Sequence, residues 1–382
     1  MKPPLHSKPR GAAAKLEAWF IANARDLPWR RDPSPYRVWI SEIMLQQTQV
    51  ATVIPYFERF IERFPNVQTL AAASEHDVLA LWSGLGYYRR ARMLLQAARE
   101  IVANHSGEFP SEREAALALP GIGRYTAGAI LSIAFNKPEP IVDGNVERVF
   151  ARITHYRKDI KSPAGQKAVW QWAADAVREA AQQGVAPWVF NQALMELGAT
   201  LCGPTETLCI RCPVRDDCDA RKRGDQRELP KLPKREKASE VGYSALAALN
   251  AKGHVLLVRR DGGSLLPDGL WELPHVPGAG CDVAEALDIR VRNPQSAGDV
   301  TQTITKFRLT VKLQVGRWTG FGGDWGYGYM IQNMRRLKPA HALGGEARIL
   351  EGAWFLPSEL DGLPMASITR KLLRLAKLLP SP

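Results

Sequence analysis

The chain has 382 residues, 51 of them Lys or Arg against 39 Asp or Glu, giving a formal net charge of +12 with 45% apolar residues. That length exceeds one ordinary core and suits two domains, and so basic a chain favours a polyanionic partner such as nucleic acid over an acidic small molecule. No stretch approaches the roughly 20 apolar residues that span a bilayer, and the charged opening MKPPLHSKPRGAAAKLEAW is unlike a secretory leader, so the expectation is an intracellular protein with no membrane contact.

From Leu16 to about Arg221 the chain reads as successive helices, with apolar residues at three and four spacing through residues 68–105. Start signals are Ser34 before Pro35, Ser162 before Pro163, and Ser111 with Glu114 as a capping box. Residues 1–222 are therefore read as a helical domain. RGDQRELPKLPKREKASE, residues 223–240, is dense in charge and proline and reads as a solvated linker. Residues 241–382 change texture, with strand-like runs at Tyr243 to Leu249, His254 to Val258 and 303–315, a turn at Ala251-Lys252-Gly253, and a closing helix over 366–379. This second domain is expected to be α+β.

Within YRVWISEIMLQQTQV, Glu42 is flanked by Ile40, Ile43, Met44 and Leu45, with no basic residue three or four positions away. An apolar setting raises a carboxyl pKa, so Glu42 is a candidate acid that keeps its proton near neutrality; an arbitrary helix glutamate would instead face solvent. WSGLGYYRRAR interleaves aromatics with arginines, a composition suited to wedging into stacked bases and touching phosphates. LPGIGRYTAGAI, residues 119–130, has the helix-hairpin-helix pattern, in which Gly121 and Gly123 allow a tight turn whose amides aim at a phosphate oxygen. A dinucleotide-binding reading fails there, because no strand precedes it and the third glycine is missing. Asp143, in IVDGNVERV, stands at an N-cap position; capping alone would explain it, and a helix N-terminus also holds a carboxylate ionised, able to stabilise a cationic sugar.

Five cysteines do not make a disulfide framework, and four of them fall in Cys202-x6-Cys209-x2-Cys212-x5-Cys218. Four thiolates in seventeen residues can wrap one metal centre. Tetrahedral zinc uses the same donors but more often as two C-x2-C pairs, so the spacing leans to iron and sulfur. Arg211 and Arg215 would give the folded loop a basic face, and Cys281 is expected to be a buried small hydrophobe.

Together, LPWR at 27–30, SEIMLQQTQV, GLGYYRRAR, LPGIGRYTAG, VDGNVERV and the four-cysteine loop resemble the adenine DNA glycosylases of the MutY family, in family order across residues 15–220. The related endonuclease III branch resembles this chain in hairpin, aspartate and cysteines but has a lysine where Tyr125 stands, so the resemblance implies hydrolysis by water without a Schiff base. It further implies that Glu42 protonates the adenine, that Asp143 faces the oxocarbenium-like sugar, and that Tyr125 and Asn145 support those carboxylates. Trp29, Arg30 and Gln192 resemble adenine-pocket residues, and Gln47 and Tyr87 match wedge positions. Cys202, Cys209, Cys212 and Cys218 match the ligands of one [4Fe-4S] cluster. The implied partner is double-stranded DNA with adenine mispaired with 8-oxoguanine or guanine, bound by a monomer in a bacterial cytoplasm or nucleoid.

The second domain resembles the family's Nudix-like lesion-reading domain, best at DGLWELP, residues 268–274, but lacks the run of glutamates that binds metal in a Nudix hydrolase. At the reader loop the family usually shows Phe-Ser-His where this chain has Ile304-Thr305-Lys306; Thr305 keeps a hydroxyl for lesion recognition, while Ile304 cannot stack as a ring does. Two other readings share the catalytic motifs: a glycosylase for another mispaired base, such as thymine opposite guanine, and a silent protein that only binds damaged DNA.

Overall fold

A computed structural model describes residues 11–233, 237–261, 269–304, 306–321 and 348–380. They gather into two compact units, one of residues 1–73 and 93–234, the other of residues 74–92 and 235–382.

The helices of the first part of the chain are α1 (Ala12–Asn23), α2 (Pro28–Arg31), α3 (Pro35–Leu45), α4 (Val50–Arg63), α5 (Val67–Ala71), α6 (Glu75–Trp82), α7 (Arg89–Asn104), α8 (Arg113–Ala118), α9 (Arg124–Ile133), α10 (Gly144–Ile153), α11 (Pro163–Gln182), α12 (Pro187–Thr200) and α13 (Asp219–Arg223). Polar caps start several of them, because the first amides of a helix lack internal acceptors. Ser34 Oγ accepts from the Arg37 amide at 3.4 Å, Ser162 Oγ from Gly165 at 3.1 Å, and Asp143 Oδ1 from Val146 at 2.8 Å. The capping box expected at Ser111 and Glu114 does not form: α8 begins one residue later, capped by Glu112 without a side-chain bond. In α4, Val53, Phe57, Phe60 and Ile61 form one buried stripe, each such side chain stabilising the fold by about 1.5–3 kcal/mol. Around α12, a second core joins Phe20, Val149, Phe150, Val177 and Leu194.

The stretch read as a solvated linker is in part structural. Leu229 is buried with Ala151 and Ala220, and the Arg152 guanidinium donates to its carbonyl at 3.0 Å. Charge density along the sequence hid this single apolar anchor.

The second unit is a mixed sheet with helices, its strands being β1 (Ser239–Leu249), β2 (Val255–Asp261), β3 (His275–Pro277), β4 (Ile289–Ile304), β5 (Phe307–Phe321) and β6 (Arg348–Phe355). Their order is β4-β5-β1-β2-β6, with β3 beside β1. The β1–β5 pair is parallel and the other pairs are antiparallel. Residues 303–315, read as one strand, belong to two: Ile304 at the end of β4 pairs antiparallel with Phe307 at the start of β5. Most of β4 escaped sequence reading because its side chains are largely exposed and it runs through Asn293-Pro294 and Ala297-Gly298, where the register shifts in bulges. Short helices α14 (Val283–Ala286) and α15 (Ser367–Leu375) complete the unit.

Residues 74–92, read as part of the helical domain, cluster with this sheet unit. The Tyr88 hydroxyl donates to the Met365 carbonyl at 2.5 Å, and Ser83 Oγ donates to the same carbonyl at 3.1 Å while accepting from Arg370 at 3.2 Å. Cys281 is exposed rather than buried, lying in the loop after Gly278 and Gly280 that leads to α14.

Candidate active site

The helical unit contains an open cleft of about 1160 Å³, lined from α2, α3, α9, α12 and the segment that ends at Asp143. Glu42 reaches it from α3, a helix that buries Val38, Trp39, Ile40, Ile43 and Met44 around it, and the residue is itself 6% exposed. Burial pushes its pKa up to about 7; Asp143 adds to the rise, while the Tyr125 hydrogen bond and Arg30 oppose it. Tyr125, in the first turn of α9, donates its hydroxyl to Glu42 Oε2 at 2.6 Å. Burial near two carboxylates drives that phenol far above its ordinary pKa, so it stays a donor.

Asp143 caps α10. Its Oδ1 accepts from the Val146 amide, and its Oδ2 accepts from Asn145 Nδ2 at 2.7 Å. Sequence reasoning expects the helix terminus to keep it ionised, yet burial raises its pKa, against the pull of those two donors and of Arg148. The two carboxyls differ in their partners: a phenol donates to Glu42, whereas a helix amide and a side-chain amide donate to Asp143. Asn145 is held in turn by Arg148, which donates to Asn145 Oδ1 at 2.7 Å, to the Gly198 carbonyl at 2.8 Å and to the Cys202 carbonyl at 2.7 Å.

Two glycines allow the walls to meet. A Cβ on Gly198 of α12 would lie 2.5 Å from Asn145 Cβ, and one on Gly128 of α9 would collide with the Pro140 carbonyl just before Asp143. Nothing in the sequence distinguishes these two from other helix glycines.

The residues expected to read the base line the same cleft. Arg30 Nε donates to Gln192 Oε1 at 3.0 Å, and its Nη2 donates to Glu196 Oε2 at 2.8 Å. Trp29 is buried and packs edge-on to Phe57, 5.4 Å between centroids. Sequence reasoning missed Glu196, although it lies four residues after Gln192 on the same helix face; it is buried, but Arg25 and Arg30 hold its pKa below the usual range. Trp188, 41% exposed, stands at the rim.

The wedge and hairpin residues show backbone features no composition reveals. Gln47, exposed on the cleft, has φ 57°, and Tyr87, 43% exposed in the other unit, has φ 51°. Such left-handed non-glycine residues cost energy and gather at functional positions. In the hairpin, Gly121 has φ 78°, so its conformation requires glycine. Gly123 has φ −94°, which any residue adopts; its missing Cβ instead leaves open space before α9. Thr305 lies outside the described residues.

All four clustered cysteines are free thiols that line one small cavity of about 30 Å³, together with Arg152, Arg215 and Gln226. Burial pushes Cys212 up to about 12, and the other three cysteines add to that rise. Arg152 Nη1 lies 3.1 Å from Cys202 Sγ, and its Nη2 is buried without a partner. A buried guanidinium with donors to spare suits sulfurs that carry negative charge. Among the described residues no group of His, Cys, Asp or Glu is gathered so as to hold a single metal ion; none of the helices is long and apolar enough to cross a membrane.

Residues 40–174 match the model of the HhH-GPD superfamily of base excision DNA repair proteins, so this stretch of the chain is an HhH-GPD domain. It is 39% identical over 314 residues to the adenine DNA glycosylase of Mus musculus, covering 69% of this chain and 60% of the relative. The adenine DNA glycosylase of Homo sapiens is 46% identical over 316 residues, covering 68% and 56%, and that of Arabidopsis thaliana 37% over 297 residues, covering 68% and 46%. Within the superfamily the chain is thus a homologue of the adenine DNA glycosylases, the MutY family, spanning about half the length of these relatives.

Proposed function

We propose that the chain is a monofunctional adenine DNA glycosylase that acts as a monomer on double-stranded DNA inside the cell, removing adenine mispaired with 8-oxoguanine or guanine. One observation carries the reading: an acid whose pKa is about 7 and a capped carboxylate share one cleft, with a phenol fixed on the acid. Because Tyr125 donates to Glu42 Oε2, that oxygen is the acceptor and Oε1 is left to carry the proton toward the base. As the bond from C1′ to the base breaks, its electron pair goes to adenine, which takes that proton. Asp143 opposes the positive charge growing on the sugar, and water adds to C1′ and loses a proton. No lysine lines the cleft among the described residues, in keeping with hydrolysis rather than an imine step. Arg30, Gln192 and Trp29 would hold the flipped base, and Gln47, Tyr87, Gly121 and Gly123 the duplex.

Cys202, Cys209, Cys212 and Cys218 would hold one [4Fe-4S] cluster, which when bound ties the basic loop into one rigid fold. Support comes from four thiols that line one common cavity, with the Arg152 guanidinium beside the Cys202 sulfur. The sheet unit would serve as a Nudix-like reader of the opposite base through Thr305.

The test is incubation of purified protein with labelled duplexes carrying adenine opposite 8-oxoguanine, adenine opposite guanine, or thymine opposite guanine, followed by alkali to reveal abasic sites. Adenine release from the first two, with strands intact before alkali, is expected. Intact adenine substrates, or undiminished release by Glu42→Gln, would overturn the reading; product from the thymine duplex alone would move it to another base.

A further inference from the structure

Arg124 is the first residue of α9, directly after Gly123. Its guanidinium carbon lies 3.9 Å from the ring centroid of Trp170 on α11, the shortest cation–ring contact among the described residues. Arg124 is exposed and takes part in none of the ion pairs of the described residues. The charge that acts on it is that of another cation, Arg113, which is itself paired with Glu139. The fold therefore sets one arginine over an indole, near a like charge, and among the described residues no acid pairs with it.

We infer that Trp170 is a platform that presents Arg124 as the side-chain arm of the hairpin, poised to grip a backbone phosphate beside the turn of Gly121 and Gly123. This rests on the DNA-binding reading above. A planar guanidinium stacked on a ring keeps its edge donors free, and the edge is what a phosphate accepts in a two-pronged hydrogen bond. Stacking also removes much of the rotamer freedom that a free arginine would lose on binding. The open space where Gly123 lacks a Cβ leaves the approach to the helix start clear. Trp170 is thus a positioning residue, acting through Arg124.

The experiment is a salt titration of binding to labelled undamaged duplex, followed by fluorescence anisotropy, for the full wild-type chain and for Arg124→Gln, Arg124→Ala, Trp170→Leu and Trp170→Phe. Loss of one phosphate contact makes the slope of log affinity against log salt shallower by about 0.9, with affinity falling roughly tenfold at low salt. Both Arg124 variants are expected to show this, Trp170→Leu part of it, and Trp170→Phe a return toward wild type because a ring is restored. A tryptophan that merely fills space would lower stability without moving the salt slope. Wild-type slope in both Arg124 variants overturns the inference while leaving the DNA reading intact; failure of the wild-type chain to bind duplex overturns both.

Discussion

Glu42 in the helical unit and Glu272 in the sheet unit are nearly equally withdrawn from water, 6% and 3% exposed, but their neighbours differ in kind. Glu272 is ion-paired with buried Arg260, whose Nη2 also lies 3.4 Å from its second oxygen. Beside it stands His275, which burial pushes below its ordinary pKa and which stacks edge-on with Tyr243. Glu42 has a phenol as its hydrogen-bond partner and another carboxylate close by. The cleft contains its own control, since Glu196 is buried too, and two arginines hold its pKa low. Burial alone therefore does not make an acid. Burial without a compensating cation does, because the charged form then has no stabilising partner.

The sharpest way to break this comparison is Glu42→Gln, which keeps shape and removes the proton donor. Single-turnover base release should fall roughly 10⁴-fold, the upper range for general acid catalysis; a loss below tenfold would place the acid elsewhere. Next comes Asp143→Asn, where asparagine caps a helix as well as aspartate does, so the fold is retained while the charge proposed to face the sugar goes. A roughly 10³-fold slower release is expected, and circular dichroism should show unchanged helix content.

At the other site, Glu272→Ala should act on stability instead of chemistry. Leaving Arg260 buried and unpaired costs about 3–5 kcal/mol, read as a lower urea midpoint for the sheet unit. A change under about 1 kcal/mol would mean that the pair is dispensable, contrary to its burial.

The smallest effect is the most diagnostic. Glu42 has a folded-state pKa of about 7 against an ordinary 4.5, so the folded chain binds this proton more tightly than the unfolded one. Its contribution to stability is full below pH 4.5 and is lost as pH rises through about 7. Glu42→Gln should then stabilise the fold by about 3 kcal/mol at pH 8 relative to wild type, and the gain should vanish near pH 4. Paired thermal melts at the two pH values check it; an equal difference at both would deny the shift.

Much of this was legible in one dimension. The helical period, the proline-preceded caps at Ser34 and Ser162, the Gly121 turn and the cap at Asp143 are local, because each depends on residues within a few positions of one another. So are the apolar neighbours of Glu42 and the cysteine spacing. The misreadings were local signals overridden at a distance: most of β4 went unread because pairing with β5 supplies the hydrogen bonds its composition does not advertise, and Leu229 looked like linker because its burial comes from Ala151 and Ala220.

What the amino-acid order determined by itself was where the helices of the first part of the chain lie and which side chains have the chemistry for an acid, a cap and four thiolates. Only the tertiary structure decided that Tyr125, 83 positions away, donates to Glu42, that two arginines form ion pairs with Glu196 while a phenol meets Glu42, and that Gly198 admits Asn145. Proton affinity depends on the charges and water within a few ångströms, and folding alone selects which residues those are.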